Sequence, residues 1–141
     1  MIIIRIWHKD LIPYLPRQQL LGQWRECCAI AKSIAEKGTP NHILVNKIMD
    51  YPLEQFYQYG CLIAAEMNKR HYYCDLNKFS DYIEKVIDLP FYIISEKDIF
   101  PKWHDYRYLK QCLYNLQEKY DCGGISEQEW ENIWWNFGNY H

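Results

Sequence analysis

Residues 16–37 constrain the fold more than any other stretch of this chain. Leu20, Trp24, Cys27, Ala31 and Ile34 recur at spacings of four, three, four and three, the period of an α-helix with one buried face. Pro16 suits a first helical position, where its missing N–H costs no intrahelical bond, and Gly38 suits a C-terminal stop. A helix this long needs other surfaces to cover its apolar stripe.

The rest of the chain repeats the same period. Thr39-Pro40 predicts the start of a shorter helix running to about Met49, and Pro52 opens another reaching about Arg70, with Leu53, Phe56, Gly60, Ile63 and Met67 on one face. Leu76, Phe79, Ile83 and Val86 predict a fourth helix after a loop at 72–75. Phe91-Tyr92-Ile93-Ile94 reads as either an extended stretch or a buried connector. Tyr106, Leu109, Leu113, Leu116 and Tyr120 predict a fifth helix, stopped by Gly123-Gly124. Ser126 and Glu129 have capping-box spacing ahead of a final short helix through Trp130, Ile133 and Trp134. No segment alternates as a strand does. The expected fold is all-α, a single compact domain of about five to six helices spanning residues 1–141, a usual length for one core.

No apolar run approaches the ~20 residues that cross a bilayer. Met1-Ile2-Ile3-Ile4 meets Arg5, His8, Lys9 and Asp10 too soon for a signal peptide. The expected compartment is the cytoplasm, with no membrane partner. Six cysteines, at 27, 28, 61, 74, 112 and 122, show no C-x-x-C and no zinc-finger pairing with histidine; Cys27, Cys28, Cys61 and Cys112, in helical segments, read as reduced small hydrophobes, and no metal site is expected. Net charge is −2, but residues 1–70 hold nine Lys/Arg against six Asp/Glu, and residues 71–141 hold seven against twelve. Any nucleic-acid contact is therefore expected mainly from the N-terminal half.

The face of the 16–37 helix opposite its apolar stripe carries Gln18, Gly22, Arg25, Glu26, Ala29 and Ser33. Gly22 and Ala29 leave room for a ligand to approach the Glu26 carboxylate, and Arg25 stands beside it as a candidate phosphate contact. The same spacing also fits an ordinary solvated helix face with an Arg-Glu pair.

Ile4-Arg5-Ile6, then Asp10-Leu11, then Gln18-Gln19-Leu20-Leu21-Gly22-Gln23-Trp24-Arg25-Glu26 resemble the start of the pyrimidine-dimer DNA glycosylases of the endonuclease V type. The similarity is good over 4–38, looser over 51–72 and faint around His104-Asp105. It implies a short extended N-terminal segment packed along the first long helix. It also implies that Glu26 is catalytic, and that the nucleophile is a chain-terminal amine at Ile4, provided the chain starts there. In the implied mechanism the amine attacks C1′ of the damaged nucleotide, the base leaves, an imine forms, and β-elimination nicks the strand. An α-amine, with a reference pKa near ~7.7–8.0, is partly unprotonated at neutral pH, and a carboxylate beside it stabilises the cationic imine. The resemblance further implies DNA contacts from Arg5, Gln18 and Arg25. Lys32 stands in for a family basic residue whose place, one turn after the glutamate, is taken here by Ala29.

His8 and His104 are candidate auxiliary proton carriers, or structural histidines. Trp7 and Tyr14 are either base-stacking platforms or core, and Trp130, Trp134 and Trp135 read as the seal of the last helix. The leading expectation is a DNA-repair glycosylase with AP-lyase activity, acting without cofactor on damaged double-stranded DNA, with a monomer as the default. The alternative is a non-catalytic protein on the same scaffold that binds DNA, a nucleotide or another protein. A mature chain starting at position 4 favours the enzyme, and an intact Met1 the binder.

Overall fold

The computed structural model describes residues 5–40, 42–89 and 93–138, and among these all regular structure is helical. Helix α1 spans Arg17–Lys37, α2 Leu53–Lys69, α3 Leu76–Glu84, α4 Tyr106–Asp121 and α5 Glu127–Phe137, with 3-10 turns at Lys9–Tyr14, Asn46–Asp50 and Glu96–Asp98. The all-α expectation holds, as does the extended entry along α1.

The α1 stripe is the centre of the core. Leu20, Trp24, Cys27, Ala31 and Ile34 are all buried, joined by Ile30, and they pack against α2 and α3. Pro16 is the N-cap and not the first helical residue. Gly38 ends the helix in the left-handed region (φ 76°), which glycine enters without steric cost, and its N–H reaches Ile34 O at 2.9 Å. On α2, Gly60 faces the Phe79 ring of α3. A Cβ there would lie 2.3 Å from Phe79 Cζ, so the glycine is what lets these helices touch. Asp75 and Asp105 cap α3 and α4 with their side chains. Ser126 and Glu129 form the expected capping box on α5. The other Glu129 oxygen accepts the Arg17 amide at 2.7 Å, tying the start of α1 to α5.

Three expectations are corrected. Among the described residues of 39–49 there is no α-helix: between 42 and 49 the buried side chains are Val45 and Ile48, three apart, while Ile43, Leu44 and Met49 face solvent, so the segment is a turn followed by a 3-10 stretch. Val86 falls beyond α3 and is exposed, and so is Ile93, which rules out a buried connector at that residue; Phe91 and Tyr92 lie outside the described residues. Of the three C-terminal tryptophans only Trp130 is buried, stacked on Tyr120 with ring centroids 5.1 Å apart and joined in the core by Ile133; Trp134 and Trp135 are exposed. Among the described residues no helix is long and apolar enough to cross a membrane.

Candidate active site between the N-terminal segment and α1

An extended chain with no neighbouring strand must satisfy its backbone groups from side chains. Residues 5–9 do so against three helices. The Arg5 N–H donates to Glu26 Oε2 (3.2 Å), and the Arg5 carbonyl accepts from Gln23 Nε2 (2.8 Å). The Trp7 N–H donates to Gln23 Oε1 (2.7 Å), and the Trp7 carbonyl accepts from the Tyr59 hydroxyl of α2 (2.7 Å). The Ile6 carbonyl accepts from the Tyr108 hydroxyl of α4, and the Lys9 N–H donates to His104 Nδ1 (3.0 Å). Gln23 is 1% exposed and uses both ends of its amide; Tyr59 lies 2.8 Å from its oxygen, and its nitrogen also reaches Glu26 Oε2 at 3.3 Å. The period of α1 identifies Gln23 only as a polar residue beside Trp24. A buried glutamine is the signal that marks it.

This packing opens a cleft of about 190 Å³ beside Glu26. Arg5, Trp7, Gln18, Gly22 and Gln23 line one part of it, and Asn115 and Lys119 of α4 close the far wall. Gln19 Oε1 is buried at this cleft with no hydrogen-bond partner among the described residues. The Arg5 guanidinium lies 5.6 Å from the Trp7 ring centroid. Burial raises the pKa of the Glu26 carboxyl above the ordinary glutamate value, opposed by the Arg5 amide and by the positive charges of Arg25, Arg5 and Lys119. A half-buried carboxyl held this way exchanges protons closer to neutrality than a free one.

The sequence-predicted residues divide into three groups. Arg5, Gln18 and Glu26 meet in the cleft. Arg25, Ala29 and Lys32 line a separate groove of about 550 Å³ with Trp24 and Lys78. His8 and His104 are not among the residues lining the cleft: they stack on each other (5.0 Å) behind the segment, and His104 also contacts the rings of Trp103 and Tyr108. Burial, aided by His8 and Lys9, pushes the His104 pKa down to about 2, so the ring is neutral; Nδ1 accepts from Lys9, and Nε2 therefore carries the proton. Trp7 is buried at the cleft edge, and Tyr14 packs edge-on against Phe137. Ile4 lies outside the described residues.

The charge expectation from the two halves changes in detail. Arg70, from the first half, is taken up by Glu66 and by the carbonyls of Leu15 and Pro13, and Lys9 is buried on Ile99 O. Lys119, from the acidic half, lines the cleft. Folding brings cations of both halves around Arg5.

The family model of the pyrimidine dimer DNA glycosylases matches residues 4–80, more than half of the chain, and the protein belongs to that family. No curated protein and no solved structure matches it. The matched stretch holds the N-terminal segment, α1, α2 and the first part of α3, and thus the Glu26 wall of the cleft. The opposite wall, on α4, lies beyond it.

Proposed function

We propose that this protein is a DNA-repair glycosylase with AP-lyase activity on pyrimidine dimers or related lesions, working through an imine formed by a chain-terminal amine at Ile4. The observation that carries this reading is the Arg5 nitrogen, 3.2 Å from Glu26 Oε2. A chain beginning at Ile4 would start one residue, roughly 3.3–3.6 Å of backbone, from that nitrogen. The amine attacks C1′, the glycosidic bond breaks, and the departing base takes up a proton. The sugar ring opens as the C1′–N bond becomes an imine. Glu26 then accepts a proton from C2′, and the 3′ phosphate leaves. A carboxyl with a raised pKa suits both directions of this traffic. Arg5, Gln18 and Lys119 at the cleft, and Arg25 and Lys32 in the adjoining groove, hold the DNA backbone.

Borohydride trapping on a duplex with one abasic site tests the reading. The chain as given, a version starting at residue 4, and Glu26→Gln in each are compared. A covalent protein–DNA band from the version starting at residue 4, with nicking suppressed by Glu26→Gln, is the expected result. No band from any version at saturating DNA binding removes the lyase and leaves a binding protein on the same scaffold.

A further inference from the structure

Arg5 lines two recesses. One is the Glu26 cleft; the other, of about 360 Å³, lies between the 42–47 turn and the start of α4 and is also lined by Ile43, Leu44, Lys47, Trp103 and Tyr108. Next to it, Lys47, Lys102 and Arg107 border a smaller recess of about 180 Å³. The carboxylate in that recess, Asp105, is already engaged as the α4 cap, accepting from the Tyr108 amide at 2.8 Å.

The turn carries two apolar side chains into solvent, Ile43 at 84% and Leu44 at 42% exposure. It holds this shape with its own bonds. The Val45 and Asn46 amides donate to the His42 carbonyl at 3.0 and 2.9 Å, and the His42 amide donates to Asn46 Oδ1 at 3.0 Å. Val45 and Ile48, both fully buried, pin it to the core. Two exposed aliphatic residues are too few for a stable protein interface, which needs on the order of 1,000 Å². Placed among cations, they match a polyanion whose interior is apolar and stacked.

We propose that the 42–47 turn is a wedge for duplex DNA: Ile43 and Leu44 enter the base stack beside the nucleotide held at Glu26, while Lys47, Lys102 and Arg107 take the flanking phosphates. This deepens the glycosylase reading and rests on it. The wedge unstacks the step next to the damaged nucleotide, which lowers the cost of turning that nucleotide toward the cleft. Arg5, shared by both recesses, lies between the wedge and the reacting sugar.

The test uses the full chain and a duplex holding a tetrahydrofuran abasic analogue beside 2-aminopurine, whose fluorescence rises on unstacking. The double variant Ile43→Ser/Leu44→Ser is expected to lose most of that rise and to weaken binding about tenfold, with an unchanged salt slope. The triple variant Lys47→Ala/Lys102→Ala/Arg107→Ala is expected to lower the slope of log K against log salt by about 0.9 per lost phosphate contact. All five residues lie on the surface, and thermal melting confirms that each variant is folded. Unchanged fluorescence and affinity in the double variant overturn the wedge. If, at the same time, Arg5→Ala and Arg25→Ala still weaken binding, the glycosylase reading survives without it. A wild-type chain that does not bind the duplex overturns both.

Discussion

Gln23 Oε1 accepts the Trp7 amide at 2.7 Å, and through its Nε2 the same side chain holds the Arg5 carbonyl, so one buried residue of α1 sets the position of the N-terminal segment. Glu26 lies one turn further along. The distance from Arg5 to that carboxylate is therefore a consequence of the Gln23 clamp as much as of Glu26 itself.

Replacing Gln23 with Leu keeps much of the volume and removes the bonds. The Trp7 amide and the Arg5 carbonyl would then be left without partners in or near the core, at roughly 1–3 kcal/mol for each buried group. We expect Gln23→Leu to lower stability by about 2–4 kcal/mol in urea unfolding, and to reduce imine trapping by more than the fraction unfolded. A stability change under about 0.5 kcal/mol would contradict the clamp.

Gly60 gives a second prediction. Phe79 stacks flat on Tyr57 (5.7 Å, 6°) and meets Phe56 edge-on, so its ring has no free direction to yield toward. Gly60→Ala places a methyl group inside that ring and is expected to cost about 1–3 kcal/mol, despite the better helix propensity of alanine. Adding Phe79→Leu to Gly60→Ala should recover part of the loss. An additive double-mutant cycle would show that the contact does not set the α2–α3 approach.

How much of this is legible in the sequence depends on whether the signal is local. The α1 stripe, the Gly38 stop and the Ser126–Glu129 box each depend on residues within a few positions, and each reads correctly. The stretch around 42–49 misreads because Ile43, Leu44 and Met49 look like core in the sequence, whereas the residues buried there are Val45 and Ile48. The cleft is half legible. Gln18 and Glu26 belong to the same helix, but Arg5 comes from the N-terminal segment, and Asn115 and Lys119 arrive from α4, by tertiary packing that no spacing encodes. Gln23 is hidden for another reason: its value lies in being polar at a buried position, and periodicity treats that as an exception.

The buried histidines predict acid sensitivity. His104 is held near pKa 2 by burial, and His8 is lowered too, again chiefly by burial and against the pull of Asp10. In the unfolded chain both return to about 6.5 and take up protons that the folded state refuses. Stability should therefore be at its plateau above about pH 6.5 and fall as pH drops below it, by up to about 1.4 kcal/mol per pH unit for each such group. His104→Gln, which can still accept the Lys9 amide, should flatten the profile between pH 6.5 and 5. Parallel profiles for variant and wild type would show that His104 is not the source.

Glu26 titrates with the opposite consequence. Its folded pKa is raised, so between the unfolded carboxyl value of about 4.5 and that higher value the folded state holds more protons than the unfolded one. Stability conferred by the protonated form is thus lost as pH rises through this window. Glu26→Gln removes the ionisation and keeps an oxygen for the Arg5 amide. The variant should gain in Tm relative to wild type as pH rises from 4 to 7, while strand nicking by the version starting at residue 4 disappears. The proposed catalytic role of Glu26, a carboxylate held at a cost to the fold, predicts this pairing of greater stability with lost chemistry. Lost nicking together with lost stability would instead assign Glu26 to holding the N-terminal segment, and the proton transfers would have to be sought among the other groups of the cleft.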